Sequence, residues 1–342
     1  MPANLLIAGA MLVSMVLYGL MAGADFGGGV WDLLASGPRR REQRKLIEKA
    51  LGPIWEANHV WLILVVVMLF AAFPPAFAAI SVALHVPLTL FLIGVVFRGS
   101  AFAFRSYETR GDQAQRRWGL VFSLASVISP VLLGMVASAV VSGDLVVKNG
   151  VVMSGFFASW LAPFPIAGGL YALALFAFLA ATYLANEAES PELQDDFRRR
   201  ALASGVAVGA LALVAFWLSG EGAPRIREGL TERPWTWPMH GATAVAAVAA
   251  FYGLWTRRLR LARLGAAAQV GLIILGWAAS QYPYLVVPDF TVHNAAANPR
   301  TLELLVWALA AGSVLLFPSL YILYRIFKGR RGLELLDVRR DS

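Results

Sequence analysis

The chain has 342 residues, 58% of them hydrophobic and 15% charged, with a formal net charge of +8 and no cysteine. Ordinary globular proteins carry roughly 45–50% apolar and about 25% charged residues, so a soluble fold is excluded: too little charge would have to cover too much apolar side chain. The missing cysteine removes disulfides, Fe–S clusters, thiolate metal sites and a cysteine nucleophile.

A spanning helix takes roughly 20 apolar residues. Nine such runs follow one another near 4–24, 53–73, 76–97, 118–141, 164–186, 201–219, 239–256, 264–281 and 303–327. They predict an all-α polytopic membrane protein, a single integral membrane domain over 1–342. The first run has no basic residue before it and stays apolar into Gly23 and Ala24, so it reads as a retained helix and not as a cleaved signal. Only Phe73-Pro74-Pro75 separates the second run from the third, which predicts a tight turn there. Residues 142–163, with Phe156, Phe157 and Trp160, read as a stretch lying in the membrane interface.

Basic residues set the expected orientation. Twenty-four of the 29 Lys and Arg fall after runs 1 and 3, before run 6, between runs 7 and 8, and after run 9. The other face receives Lys148, Arg225, Arg227, Arg233 and Arg300. The N-terminus is therefore expected outside and the C-terminus in the cytoplasm. A basic excess distributed in this way is a topology signal, which argues against a nucleic-acid partner.

Ionisable residues inside apolar runs are costly and mark candidate sites. In the first run Gly19, Gly23 and Gly27 place a small residue at every fourth position, a groove for a close-packed helix. That helix could belong to this chain or to a partner. Asp25 lies in the same stretch and Asp32 two turns further on. Asp32 reads as an acid solvated at the rim of the membrane, Asp25 as one turn further in. The second run opens with Gly52-Pro53-Ile54-Trp55-Glu56-Ala57-Asn58-His59, where Pro53 suits a first turn. Glu56 and His59 are spaced to lie side by side, either to pass protons or as a helix-end acid and a packed polar ring. His85 falls near the centre of the third run. It reads as a hydrogen-bonded core histidine in preference to a haem ligand, because His59, His240 and His293 lie at other depths. Arg98 and Arg105 follow, suited to snorkelling or to pairing with Glu56 or Asp25. No phosphate loop, Ser-His-Asp set or metal-ligand spacing is present.

Four segments carry a family likeness: GADFGGGVWDLL (23–34), GPIWEANHVWLILVVVMLFAAFPPAFA (52–78), FRGSAFAFRS (97–106) and YPYLVVPDFTVHNAAANP (282–299). Together with the nine-run hydropathy, they resemble subunit II of the cytochrome bd-type quinol:oxygen oxidases. The resemblance implies two four-helix bundles plus one helix, in a bacterial plasma-membrane heterodimer that oxidises quinol and reduces dioxygen to water. It implies that the haems and the quinol-oxidising loop belong to the partner, subunit I, and that this chain binds no haem and no metal. It also implies a cytoplasmic proton pathway through Asp25, Glu56 and His59, supported by Trp55, Asn58 and Arg98. A small accessory subunit, a bound lipid or a structural quinone is compatible with the same likeness. Two positions depart from the family pattern. Phe102-Ala103-Phe104-Arg105 lacks an acid that family members often carry, and Ala24 stands where glycine and phenylalanine commonly precede the aspartate. The competing readings are a purely structural partner subunit and a secondary transporter, which would place its acids nearer the bilayer centre.

Overall fold

The computed structural model describes residues 2–51, 55–107, 112–148 and 151–328. Gly52, Pro53 and Ile54 lie outside the described residues, as do Arg110, Arg330, Arg331, Arg339 and Arg340. In chain order the helices are α1 (Ala3–Leu33), α2 (Arg40–Leu51), α3 (Trp55–Asn58), α4 (Val60–Ala72), α5 (Pro74–Ala83), α6 (His85–Tyr107) and α7 (Asp112–Ser142). A short hairpin, β1 (Val147–Lys148) with β2 (Val151–Val152), precedes α8 (Pro163–Glu187), α9 (Pro191–Gly222), α10 (Pro224–Thr231), α11 (Thr236–Trp255) and α12 (Leu259–Gln281). A second hairpin, β3 (Tyr284–Val286) with β4 (Phe290–Thr291), leads into α13 (Pro299–Lys328).

The expected architecture is present. One bundle is built from α1, α3–α4, α6 and α7, the other from α8, α9, α11 and α12, and α13 lies against α1 and α4. Among the described residues, eight helices are long and apolar enough to cross a membrane. The expected run near 239–256 forms α11, which is 20 residues long but diluted by Gly, Thr and His240. Most helices run past the apolar stretch into polar flanks; α9 starts at Pro191, where the Ser190 hydroxyl accepts the Leu193 N–H as an N-cap.

The third run is not one helix. It breaks at Leu84, with α5 before the break and α6 after it. The reason lies in Pro87: it has no N–H to give the carbonyl four residues back, and its ring crowds that carbonyl. His85 accordingly sits at the break and is exposed, with Nδ1 2.9 Å from the Val82 carbonyl and its ring edge-on to Phe156. It is hydrogen-bonded as expected, but it is not a core residue.

The glycine groove of α1 is filled from within the chain. A Cβ on Gly19 would lie 2.5 Å from an Ile274 methyl, and one on Gly23 2.6 Å from the Phe176 ring. A Cβ on Gly27 would collide with the Phe176 carbonyl and with Ala180. Helix α1 thus lies tightly on α8 and α12 and joins the two bundles.

Three of the basic segments, after runs 1 and 7 and before run 6, are tied to acids between the end of α8 and the start of α9, at one end of the molecule. Arg39 pairs with Asp196, Lys49 with Glu189, Arg198 and Arg257 with Asp195, and Arg263 with Glu187. At the opposite end the Asn4 amide donates to the Val292 carbonyl, and Arg225 to the Tyr284 hydroxyl.

Candidate functional site: a polar seam through the first bundle

Asp25 lies eight residues before the end of α1, about 12 Å inward at 1.5 Å per residue, and is buried. Its Oδ2 accepts from the Asn58 amide at 2.6 Å, and the Asn58 Oδ1 accepts from the Tyr324 hydroxyl at 2.6 Å. Three helices therefore contribute one chain of donors: α13 through Tyr324, α3 through Asn58, and α1 through Asp25. Next to it, Arg98 of α6 is 1% exposed. Its guanidinium lies over Phe26, Trp55 and Phe122 at 4.9, 5.8 and 5.3 Å, and its Nε donates to the Ser126 hydroxyl at 3.1 Å. Asp25 acts on this guanidinium electrostatically. A buried cation held among rings needs a compensating charge nearby, because the desolvation cost of such an ion is several kcal/mol.

The seam continues toward the basic end. Asp32 is fully buried and accepts from the Ser123 hydroxyl at 2.9 Å. Arg44 of α2 donates to the Asp32 backbone carbonyl from Nε and Nη2, and its Nε lies 3.7 Å from the Asp32 carboxylate. The expectation of a solvated rim acid is corrected here: α2 folds back and closes over Asp32. Ser123 and Ser126 are three residues apart on one face of α7, so they stack along the seam between Asp32 and Arg98.

Glu56 and His59 take separate positions. Glu56 is exposed on α3; its backbone carbonyl accepts the His59 N–H at 3.2 Å, and among the described residues no side-chain hydrogen bond joins the two. His59 sits at the joint between α3 and α4, half-buried among the rings of Tyr18, Phe26 and Trp55 at 5.8, 5.9 and 6.2 Å. Its Nδ1 is 3.4 Å from the Tyr18 hydroxyl, and its Nε2 is buried without a hydrogen-bond partner among the described residues. Of the sequence-predicted residues, Asp25, Asn58, Trp55 and Arg98 are brought together, His59 borders them, and Glu56 faces outward. Tyr18, Tyr324, Ser123, Ser126 and Arg44 belong to the seam and were missed. Only the serines had a local signal, a stripe of small polar residues at 123, 126 and 129 in an apolar helix.

Comparison with known proteins decides the family. The family model for "Cytochrome bd terminal oxidase subunit II" matches residues 3–327. The chain belongs to that family. It is 24% identical over 325 residues to the putative cytochrome bd menaquinol oxidase subunit II of Bacillus subtilis, covering 91% of each chain. It is 29% identical over 215 residues to the cytochrome bd-I ubiquinol oxidase subunit 2 of Escherichia coli, covering 61% of this chain and 55% of that protein. The bd oxidase structure from Geobacillus thermodenitrificans superposes with a TM-score of 0.81 at 22% identity, covering 97% of this chain and 100% of that one, and so shares the fold. Subunit II is thus a multi-pass protein of a bacterial membrane and one subunit of a terminal oxidase, whose family implies a partner subunit I.

Three of the four histidines are exposed. His85 is exposed at a helix break, His240 is exposed with Nε2 2.9 Å from the Leu230 carbonyl, and His293 is exposed beside Asn4. The partly buried His59 turns Nδ1 toward Tyr18. Among the described residues no group of three or more His, Asp or Glu could hold a metal ion.

Proposed function

We propose that this chain, as a single membrane-embedded unit, supports assembly of a haem-bearing subunit I and carries part of a cytoplasmic proton pathway for a complex that oxidises quinol and reduces dioxygen to water. Its N-terminus lies outside and its C-terminus inside; reporter fusions after residues 42 and 259 then read cytoplasm, and those near 228 and 292 the outside. Reduction of dioxygen to water consumes protons, and the buried seam from Arg44 and Asp32 through Ser123, Ser126 and Arg98 to Asp25, Asn58 and Tyr324 is the observation that carries this reading. It starts at the basic end and reaches into the first bundle. Glu56, exposed beside it, is the collecting carboxyl on the side open to a partner, and His59 offers a ring nitrogen between that acid and the Tyr18 hydroxyl.

A structural partner without a proton role is the second reading. The short Asn58–Asp25 bond and the enclosure of Arg98 favour it, because both hold Asp25 in place. Glu56→Gln separates the two readings: it keeps size and hydrogen bonding and removes the titratable proton. We expect a complex that assembles with its haems while oxygen uptake per haem falls about 10²–10⁴-fold, the range for a positioned acid. Asp25→Asn acts in the same direction. Full turnover in the double variant leaves the structural reading standing.

A further inference from the structure

Away from the seam, a cavity of about 280 Å³ opens where the loop between α1 and α2 crosses the start of α9. Ser36, Arg39, Gln43, Asp196, Arg199 and Arg200 line it, three guanidiniums against one carboxylate. Its walls are fixed by their own bonds. Arg39 donates to both oxygens of Asp196, at 2.9 and 2.6 Å, and Gln43 Nε2 adds a third bond at 2.9 Å. Arg200 lies over Trp31 and Phe197 and donates to Gln43 Oε1 at 2.8 Å. Arg199 is exposed and, among the described residues, has no hydrogen bond or ion pair.

We propose that this cavity binds the phosphate of an anionic phospholipid of the leaflet at the basic end. The guanidinium fork matches phosphate oxygens in plane and charge, and one carboxylate already engaged by Arg39 leaves the site net positive. The surface below it points to a lipid and not to a free anion. Arg199, Val206 and Leu213 follow at intervals of seven, so they fall on one stripe of α9, and all three are exposed, Val206 at 66% and Leu213 at 72%. A headgroup held at Arg199 would place its acyl chains along that apolar stripe. This proposal is independent of the proton reading.

The test uses the purified oxidase complex, observed by native mass spectrometry and titrated separately with phosphatidylglycerol, phosphatidylcholine and inorganic phosphate. Arg199→Gln should assemble normally and hold phosphatidylglycerol about fivefold more weakly, as expected for one arginine at a membrane surface. Val206→Ser should weaken phosphatidylglycerol and leave any binding of inorganic phosphate unchanged. Equal retention of phosphatidylglycerol by wild type and Arg199→Gln overturns the proposal. So does equal binding of phosphatidylcholine in wild type, or displacement of phosphatidylglycerol by inorganic phosphate alone.

Discussion

The two four-helix bundles solve one packing problem with different side chains. In the second, the interior is Phe178, Leu179, Ala180 and Ala181 from α8 against Val208, Ala250 and Ala266, while its acids and arginines pair at the basic end. In the first, Asp25, Asp32 and Arg98 are buried at 4, 0 and 1% exposure. Helices of this length therefore pack without inner charges, and a bundle that keeps them keeps something other than packing. Buried ion pairs are weak sources of stability compared with apolar residues of similar volume, yet losing one partner is costly.

The strongest way to break this comparison is Arg98→Met. It leaves Asp25 buried without the nearby cation, which we expect to cost about 3–5 kcal/mol and to deplete the assembled oxidase in membranes. The matching change in the second bundle is Thr182→Val, where the hydroxyl only returns a bond to the Phe178 carbonyl at 2.8 Å. We expect no more than about 1 kcal/mol there. Wild-type yield and melting for Arg98→Met would reduce the contrast between the bundles to composition.

A smaller effect is expected where the bundles touch. Gly27→Leu drives a side chain into the Phe176 carbonyl and Ala180, an overpacking worth about 1–3 kcal/mol. Gly209→Ala on α9 has no atom within 4 Å of the new Cβ and should be neutral, or stabilising by up to about 1 kcal/mol through helix propensity. Yields and melting temperatures of the two complexes, measured side by side, check both. Equal tolerance would mean that α1 and α8 can move apart freely.

Much of the first bundle was legible because apolar runs make polar exceptions conspicuous. Asp25, Asn58 and Arg98 stood out in this way, and the four-residue spacing of Gly19, Gly23 and Gly27 announced a close contact without naming its partner. What could not be read came from distant chain. Tyr324 lies 266 residues from Asn58, and nothing in its own helix points to an amide. Asp32 looked like a rim acid because its burial depends on α2 turning back with Arg44, a tertiary event with no local mark. The break at His85 did have a mark, Pro87, which a count of apolar residues passes over.

The smallest expected effect sharpens the comparison most finely. Tyr324 ties α13, the helix outside both bundles, to the seam of the first, donating to Asn58 Oδ1 and lying 3.6 Å from the Met21 sulfur. That hydroxyl also supports the way the Asn58 amide faces. With Oδ1 occupied by that donor, Nδ2 is the group turned toward Asp25, the same orientation that the acceptor oxygens of the carboxylate select. Tyr324→Phe removes only the hydroxyl, and the net worth of such a bond is about 1 kcal/mol. We expect the complex to assemble, to melt slightly earlier, and to lose a few-fold in oxygen uptake per haem. Asn58→Leu, which removes the amide itself, should fall further in both measurements. If Tyr324→Phe matches wild type in melting and uptake, α13 is held by its apolar contacts alone, and the seam ends at Asn58.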